Sequence, residues 1–250
     1  MFRLRFSVRT LAVVITAIAI VLGTVVQRIR TQEQAIAALE IRGFDVETRL
    51  LELPWGLHTN LPAEMVLLPK SARANFLAPQ FDVRWLNCRE EMLEEQNRPP
   101  FHEKDLRHLS ALRQVEMVSL EHAPITDEGL VHLQNLTNLR ELFLSNYDPS
   151  KPAWKPRITD AGLIYLRGLD KLELLHLDGH DIGDDGLASF LSELKELKQL
   201  DIARTQVSDE SIECIAGLKS LKSLVITDTD ITDAGAIRLK ERLPHCYIQR

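Results

Sequence analysis

Cysteine is scarce in this sequence, and its scarcity argues against two common ways of holding a small domain together. The 250 residues contain three cysteines, Cys88, Cys214 and Cys246, and no pair has C-x-x-C spacing. An odd number of widely separated cysteines indicates neither a disulfide framework nor a zinc site. We therefore interpret the thiols as structural residues and expect the protein to bind no metal and no cofactor.

The body of the chain also lacks an excess of basic residues. Residues 1–30 hold five arginines and no acidic residue, which leaves 25 basic and 36 acidic residues in 31–250, a net charge of −11. Affinity for nucleic acid rests largely on the neutralisation of phosphates by lysine and arginine. We therefore expect no DNA or RNA partner.

A catalytic motif is the third feature that is missing. The residues that come nearest to one are His176, Asp178, His180 and Asp201. They come without a nucleophile, without oxyanion donors and without the spacing of metal ligands. The sequence therefore predicts no catalytic residues, and we expect the protein not to be an enzyme.

What the sequence does contain is a segment that recurs along most of its length. The unit at 158–181, ITDAGLIYLRGLDKLELLHLDGHD, has near-copies on both sides. The starts of the units are evenly spaced, except that the step from Ile125 to Ile158 is longer than the others. A period in the twenties with leucines at fixed offsets predicts one strand and one helix per unit. The six starts are Phe101, Ile125, Ile158, Ile182, Val207 and Ile231.

Each unit contains an L-x-x-L-x-L strand followed by a helix that opens with T-D-x-G-L or a variant. Residues two apart in a strand point to the same side, which predicts inward pairs at Val118/Leu120, Leu142/Leu144, Leu175/Leu177, Leu200/Ile202 and Leu224/Ile226. Hydroxyl residues suited to capping a helix stand at Thr126, Thr159, Ser208 and Thr232. The aspartate after each cap position lies near the positive end of a helix dipole. We therefore interpret the column Asp127, Asp160, Asp184, Asp209 and Asp233 as structural rather than metal-binding.

The pattern L-x-x-L-x-L-x-x-T-x-I-T-D-x-G-L-x-x-L resembles the leucine-rich-repeat subtype shared by F-box-associated repeats and many bacterial repeat proteins. It covers residues 101–250 and, more weakly, 81–100. The order of basic start, apolar segment, helix, compact cap and repeats is similar to that of bacterial membrane-anchored repeat proteins, with no F-box. The resemblance implies an α/β leucine-rich-repeat solenoid, a right-handed strand-helix horseshoe arc, whose role is protein–protein recognition.

The N-terminus is predicted to be a membrane anchor. Three arginines lie in residues 1–9, and the stretch 10–26 carries no charge, with a length at the lower limit for spanning a bilayer. The apolar run is longer than that of a usual signal peptide, and no small-x-small cleavage site precedes Gln27. We therefore expect a single uncleaved transmembrane helix, with secretion after signal cleavage as the alternative. The arginine bias places the N-terminus in the cytoplasm and the repeats outside.

The sequence thus divides into a basic tail at 1–9, a transmembrane helix at 10–26, a helical stalk at 27–43, a cap at 44–100 and the repeats at 101–250. In the stalk, Ala35, Ile36 and Leu39 have helical spacing and Gly43 suits a C-cap. The cap is predicted to cover the open end of the first repeat. Its predicted features are a strand at 44–50, core aromatics Trp55, Phe76 and Trp85, a strand at 81–88 with Leu86 aligned to Leu120, and an acidic insertion at 89–100.

A binding surface is predicted on the concave strand face, where outward side chains are not needed for packing. The central outward row is Ser119, Phe143, His176, Asp201 and Val225. Phe143, Leu174 and His176 form a partly apolar patch with acidic neighbours, including Asp201. This patch suits a protein or peptide with an apolar anchor and a basic rim. Aromatic residues are only 6% of the chain, so an aromatic residue at an outward position favours a binding role. An ordinary solvated sheet face is the alternative.

The surplus of the long repeat lies in residues 146–157, NYDPSKPAWKPR. Three prolines stiffen this loop, and Tyr147, Lys151, Trp154 and Lys155 make it aromatic and basic, so we predict that it also contacts the partner. The acidic insertion at 89–100 leaves the same sheet edge, and the two loops either pair with each other or form a joint site. A structural envelope protein without a dedicated ligand is the alternative function. The ligand and the oligomeric state stay open.

Overall fold

The computed structural model describes residues 8–42, 44–49, 82–88, 102–121, 123–146 and 157–250. The chain divides into two compact units, one formed by residues 1–34 with 49–82 and the other by residues 35–48 with 83–250. Several predicted features lie outside the described residues. These are Gly43, Trp55, Phe76, the side chain of Trp85, the insertion at 89–100 and the loop centre at 147–156.

The first unit contains most of a long helix, α1 (Val8–Ile41), which is continuous over 34 residues. No proline interrupts it, and alanine, leucine and isoleucine are frequent along it, as expected for an unbroken helix. The predicted apolar segment and the predicted stalk are therefore parts of one helix. Among the helices that the structure describes, none is both long enough and apolar enough to span a membrane.

The last turns of α1 belong to the second unit, together with the repeats. Ala35 and Leu39, one helical turn apart, are buried, and so is Phe44 just beyond the helix. The Arg42 guanidinium lies 3.3 Å from the carboxylate of Asp105, a buried residue of the first repeat. This end of the predicted stalk is therefore part of the compact unit that contains the repeats.

The second unit is built on a sheet whose strands follow one another in sequence order from β1 to β8. Neighbouring strands from β2 onward are parallel. Each connection therefore crosses back through the helical side of a repeat. The strands are β1 (Phe44–Arg49), β2 (Asp82–Cys88), β3 (Met117–Ser119), β4 (Glu141–Phe143), β5 (Leu174–His176), β6 (Gln199–Asp201), β7 (Ser223–Val225) and β8 (Tyr247–Gln249).

The helices of the repeats are short, and all but α4 (Asp184–Phe190), which follows Gly183, belong to helical segments that begin at a predicted cap residue. The Thr159 hydroxyl accepts a hydrogen bond from the Ala161 N–H at 3.3 Å, and the Thr232 hydroxyl accepts one from the Gly235 N–H at 3.0 Å. Thr126 and Ser208 cap their turns in the same way, so the prediction of hydroxyl N-caps is confirmed. The helices are α2 (Asp127–Leu130), α3 (Asp160–Leu163), α4 (Asp184–Phe190), α5 (Ile212–Ala216) and α6 (Asp233–Arg242). The 3-10 turns are Glu103–Ala111, Ile164–Leu166, Leu191–Glu193 and Asp209–Ser211.

The core lies between the strands and these helices, as the leucine pattern predicts. All ten residues of the predicted inward pairs are at most 2% exposed, and the starts from Ile125 to Ile231 are buried with them. Full burial of a leucine or isoleucine side chain contributes roughly 1.5–3 kcal/mol. The repeated leucines therefore supply the main stabilisation of the array.

The aspartate column joins each repeat to the next. The Asp127 carboxylate accepts hydrogen bonds from the Thr159 N–H at 2.8 Å and the Thr159 hydroxyl at 2.7 Å. Asp184 binds Ser208 in the same two-pronged way, and Asp209 binds Thr232. In the first repeat Glu103 takes the aspartate's place and accepts from Thr126. The aspartates from Asp127 to Asp209 are therefore structural, as predicted, and each one holds the cap residue of the following repeat. Asp233 is exposed and pairs with Arg250 instead.

Hydrogen bonding lowers the pKa of two carboxylates of this column. Partial burial alone would raise the pKa of Asp184, but hydrogen bonds from Ser208 and Ser211 outweigh it and lower the pKa. Hydrogen bonds from Thr232 lower the pKa of Asp209. A carboxylate with a lowered folded pKa stabilises the protein above the unfolded value of about 3.9, and this stabilisation is lost as the pH falls through the folded pKa.

The glycine in T-D-x-G is explained by the same contact. A Cβ atom on Gly162 would overlap the Asp127 carboxylate, and a Cβ atom on Gly186 would overlap that of Asp160. The repeat that starts at Val207 has Ser211 at this position, and the Ser211 hydroxyl donates to Asp184. The position therefore requires either no side chain or one that can hydrogen-bond to the incoming carboxylate.

One predicted alignment is wrong. Leu86 pairs with Val118 in the parallel register of β2 and β3, not with Leu120. Val118 and Leu120 are two residues apart and both point inward, so the hydrophobic pattern alone does not separate the two registers. The interval that contains the acidic insertion therefore ends two positions earlier than predicted, and the insertion is shorter by the same amount.

The predicted end of the array is confirmed. The chain forms β8 after Pro244, and Cys246 is buried just before this strand. Cys214 lies in α5, on the helical side, as predicted. Burial raises the pKa of both thiols, which therefore stay protonated and unreactive near neutral pH.

Candidate functional site

The predicted outward row is assembled by the strand register. Phe143 pairs with His176 and His176 pairs with Asp201, so the three side chains lie side by side on neighbouring strands about 4.8 Å apart. Ser119 and Val225 continue the row at its two ends. Ser119 is buried, whereas Phe143, His176 and Asp201 are half-buried. We call the surface formed by Phe143, Leu174, His176 and Asp201 the strand face.

The apolar part of the strand face is held by an aromatic pair. The rings of Phe143 and His176 meet edge to face, with centroids 5.0 Å apart and an interplanar angle of 80°. Leu174 lies two residues before His176 on the same strand and pairs in register with Glu141. An edge-to-face contact contributes about 0.5–1.5 kcal/mol beyond area burial, so the patch is ordered before any partner arrives.

The acidic border of the strand face includes Asp201, whose negative charge is only partly compensated by neighbouring groups. Burial raises the pKa of Asp201, and the nearby Asp178 adds to the rise. The Ala203 N–H donates to Asp201 at 2.9 Å, and the charge of His176 and of Arg204 offsets the rise in part. Within the part of the chain that the structure describes, no ion pair reaches Asp201. A cationic group of a partner would therefore find favourable electrostatics here.

Two other acidic side chains near the strand face, Glu173 and Asp178, are already engaged within the chain. Glu173, just before β5, lies between Arg140 and Lys198 and binds both. The hydrogen bond from Lys198 lowers the pKa of Glu173, and Arg140 lowers it further. Asp178 accepts a hydrogen bond from Ser145 and lies 4.0 Å from the Arg204 guanidinium. Asp201 differs from them because no ion pair among the described residues reaches it, which leaves it open to an external cation.

The loop residues Tyr147, Lys151, Trp154 and Lys155 lie outside the described residues, but the two ends of the loop are described. Asn146 is buried, and its N–H donates to the Asp178 carbonyl at 3.2 Å. On the other side, Arg157 is exposed and Ile158 is fully buried. The ends of the loop are thus integrated into the repeat array.

Sequence reasoning missed the role of His180. Its side chain is 3% exposed, and its Nε2 atom lies 2.7 Å from the Leu144 carbonyl oxygen. The Ile158 N–H points to its Nδ1 atom at 3.4 Å. His180 therefore contacts both ends of the inserted loop. The available signal was its place in the repeat, where later units have Thr205 and Thr229.

The rejected catalytic cluster is not assembled. His180 turns into the interior, away from the strand face on which His176 and Asp201 lie. No group of three or more histidine, cysteine or acidic side chains within the described ranges is arranged to hold a metal ion. These geometries give no support to a hydrolytic or metal-dependent reaction at this place.

A second candidate is an open cavity of about 380 Å³ beside the first repeat. Its lining is polar and of mixed charge, and the Glu103 carboxylate in it already binds Thr126. It offers no apolar anchor site, and we therefore favour the strand face as the binding surface. The residues that line the cavity are His102, Glu103, Lys104, Glu128 and His132.

The repeats agree with a known family. The family described as Leucine Rich repeat matches residues 170–191 and 217–240. Members of this family are protein-interaction modules rather than enzymes, in agreement with the prediction made from the sequence. A comparison with curated proteins gives no match.

Solved structures of other repeat proteins are similar at low identity. An internalin C2 from Listeria monocytogenes is 24% identical with a TM-score of 0.46, over 57% of this chain and 54% of that one. A leucine-rich-repeat protein from Leptospira interrogans is 21% identical with a TM-score of 0.38, over 58% of this chain and 33% of that one. The ectodomain of a plant membrane receptor kinase from Arabidopsis thaliana, solved in complex with Casparian strip integrity factor 2, is 18% identical with a TM-score of 0.33, over 58% and 16%.

The present chain thus spans about half or less of each of these proteins. Within the chain itself, parallel strands in sequence order, a leucine core and capped short helices recur at the period seen in the sequence. Two of these units are matched by the family's own pattern. The second compact unit of this protein is therefore an α/β solenoid that contains leucine-rich repeats.

Proposed function

We propose that this protein is a membrane-tethered recognition module that binds a protein or peptide through the strand face and the 146–157 loop. The observation that carries the proposal is the half-buried pair of Phe143 and His176 beside the partly compensated Asp201. Aromatic side chains are enriched at the centres of protein interfaces, and charged groups lie more often at the polar rim. The partner is expected to present an apolar side chain flanked by lysine or arginine.

Inward and outward side chains of the same strand have different roles, and this difference supports the proposal. In β5 the fully buried Leu175 packs the core, while Leu174 and His176 on either side of it stay half-buried on the strand face. The core does not need an apolar residue at Leu174. Burial of about 100 Å² of apolar surface there by a partner would contribute about 2.5 kcal/mol.

The tether is proposed from the sequence of α1. Residues 10–26 carry no charge and lie within one continuous helix, and arginines precede and follow them. This pattern favours a cytoplasmic N-terminus and a repeat domain on the outer side of a bacterial membrane. The competing proposal is a structural envelope protein, in which the same surface binds other copies of the chain.

Proximity labelling tests the compartment and the partner together. With a labelling enzyme fused to the C-terminus of the full chain, we expect labelled proteins of the outer side of the membrane and one enriched partner. For that purified partner, Phe143→Ala is expected to weaken binding by about tenfold, because a central interface aromatic contributes at least about 1.4 kcal/mol. Ile164→Ala is the matched control, since this side chain is 50% exposed on the helical side.

Two outcomes would contradict the proposal. Equal binding by wild type and Phe143→Ala would remove the strand face from the interface. Labelling of the chain's own copies alone, together with self-association of the purified protein, would favour the structural envelope protein.

Deletion of Asp148–Lys155 tests the loop separately. Removing this segment brings the long repeat back to the period of the regular units, so the fold is expected to survive. Partner capture is expected to fall, since the deletion removes Lys151, Trp154 and Lys155. The measurements are the thermal unfolding midpoint and a pull-down of the partner. Undiminished capture by the shortened protein would rule out the binding role of the loop.

A further inference from the structure

The His180 imidazole forms a hydrogen bond with the backbone at each end of the inserted loop. Its Nε2 atom is 2.7 Å from the carbonyl oxygen of Leu144, which lies just before the loop. Its Nδ1 atom is 3.4 Å from the backbone nitrogen of Ile158, directly after the loop. The imidazole lies between two segments that the whole loop separates along the chain, and it is buried with them.

The regular repeats use a different and more local bond at this position. The Thr205 hydroxyl donates to the Ile202 carbonyl at 2.6 Å, and the Thr229 hydroxyl donates to the Ile226 carbonyl at 2.8 Å. Both bonds stay within one repeat. A threonine is too short to reach across to the preceding repeat, whereas a histidine has that reach and has two ring nitrogens. The histidine therefore stands in the repeat that directly follows the 146–157 insertion.

We propose that His180 is a positioning residue for the 146–157 loop: the neutral imidazole ties both ends of the loop to the repeat array, and its protonation releases the end at Ile158. The proposal rests on the proposed function only for the statement that this loop binds a partner. The tie itself is a property of the chain alone.

The two hydrogen bonds define the protonation state. The Nε2–H group donates to the Leu144 carbonyl, and the unprotonated Nδ1 atom accepts from the Ile158 N–H. A proton on Nδ1 would face the Ile158 N–H, so two donors would meet and this bond would be lost. The bond to Leu144 would persist. Protonation is therefore expected to free one end of the loop and not the other.

The groups around the imidazole shift the pKa of His180 in opposite directions. Burial lowers the pKa of His180, while the hydrogen bond to Leu144 and the charges of Asp178 and Asp127 raise it, and the net shift is downward. Asp178 stands in the same turn as His180, and Asp127 belongs to α2 of an earlier repeat. Neutral imidazole is therefore favoured while the loop ends are packed, and the proton binds more readily once they open.

The sign of the pH effect follows from this difference. With a folded pKa below the ordinary value of 6.5, the tie is complete above pH 6.5 and weakens as the pH falls toward the folded pKa. Between pH 7.5 and 5.5 the equilibrium for local opening is expected to rise by up to about tenfold. Opening of this kind is reported by amide exchange.

Hydrogen exchange of the full chain at pH 7.5 and 5.5, corrected for the intrinsic exchange rate, tests the proposal. Protection of the Ile158 amide is expected to fall by up to about tenfold at the lower pH. The amide of Arg204, which donates to the Thr227 carbonyl at 2.8 Å in a regular repeat, is the internal control and is expected to keep its protection. This comparison within wild type needs no variant and no partner.

His180→Gln is the matched variant, since its amide group can donate to Leu144 but does not titrate. Its Ile158 amide is expected to show the same protection at both pH values. An equal pH-dependent loss in wild type and His180→Gln, or no loss in wild type, would overturn the proposal. Because no partner enters the measurement, either result leaves the binding role of the loop to be decided by the deletion of Asp148–Lys155.

Discussion

Leu175→Ala is expected to lower the free energy of unfolding by about 3 kcal/mol, whereas Leu174→Ala should lower it by less than about 1 kcal/mol. The two leucines are adjacent in β5, and they differ only in the side of the sheet to which they point. Leu175 is fully buried and lies in register between Leu142 and Leu200, so its truncation leaves a cavity in the core. Leu174 lies half-buried on the strand face.

Urea denaturation of both variants, followed by circular dichroism, measures this difference. The partner-binding assay should give the opposite order, with Leu174→Ala weakening capture and Leu175→Ala affecting it only through loss of folded protein. Equal destabilisation by the two substitutions would contradict the assignment of faces. It would also remove the physical basis for calling the strand face available to a partner.

Gly186→Val is expected to destabilise the array by about 2–3 kcal/mol, and Gly186→Ser by less than about 1 kcal/mol. Any Cβ atom at this position approaches the Asp160 carboxylate, which binds the Gly183 N–H at 2.8 Å. Valine adds two methyl groups against that carboxylate and forces the two repeats apart. Serine also places a Cβ atom near the carboxylate, but its hydroxyl is expected to donate a hydrogen bond to Asp160, as the Ser211 hydroxyl does to Asp184.

The comparison between valine and serine separates close packing from backbone freedom. If glycine were needed for its conformational freedom, both substitutions would be costly to a similar degree. If the close contact with Asp160 is the reason for the glycine, serine should be tolerated. The thermal unfolding midpoint should then fall much further for valine than for serine. Equal losses for the two variants would show that the inter-repeat carboxylate does not explain the glycine in T-D-x-G.

The parts of the fold that were predictable from sequence are those set by local periodicity. Alternation within each strand identified the inward leucines, and the hydroxyl before each aspartate identified the caps, because both signals depend only on spacing along the chain. The leucine pattern of the strands also placed Phe143 beside His176, since the same strand position in successive repeats lies on neighbouring strands. The fold family and the row of candidate contacts were therefore accessible without coordinates.

Contacts between repeats were less accessible. The bond from Asp127 to Thr159 spans 32 residues, and nothing in the local pattern distinguishes it from an aspartate that serves only its own helix. The alignment of Leu86 failed because two inward residues, Val118 and Leu120, satisfy the same alternation. His180 stood out as a departure from its neighbours, but its partners Leu144 and Ile158 become evident only when the insertion between them is folded away.

Site-specific photo-crosslinking tests most directly whether the strand face is the binding surface. A photoreactive phenylalanine analogue would replace Phe143 in one full-length variant and Ile164, on the helical side, in another, each in cells that make the protein. The strand-face proposal predicts that one partner is crosslinked from position 143 and not from position 164. The same adducts from both positions, or adducts from position 164 alone, would contradict it.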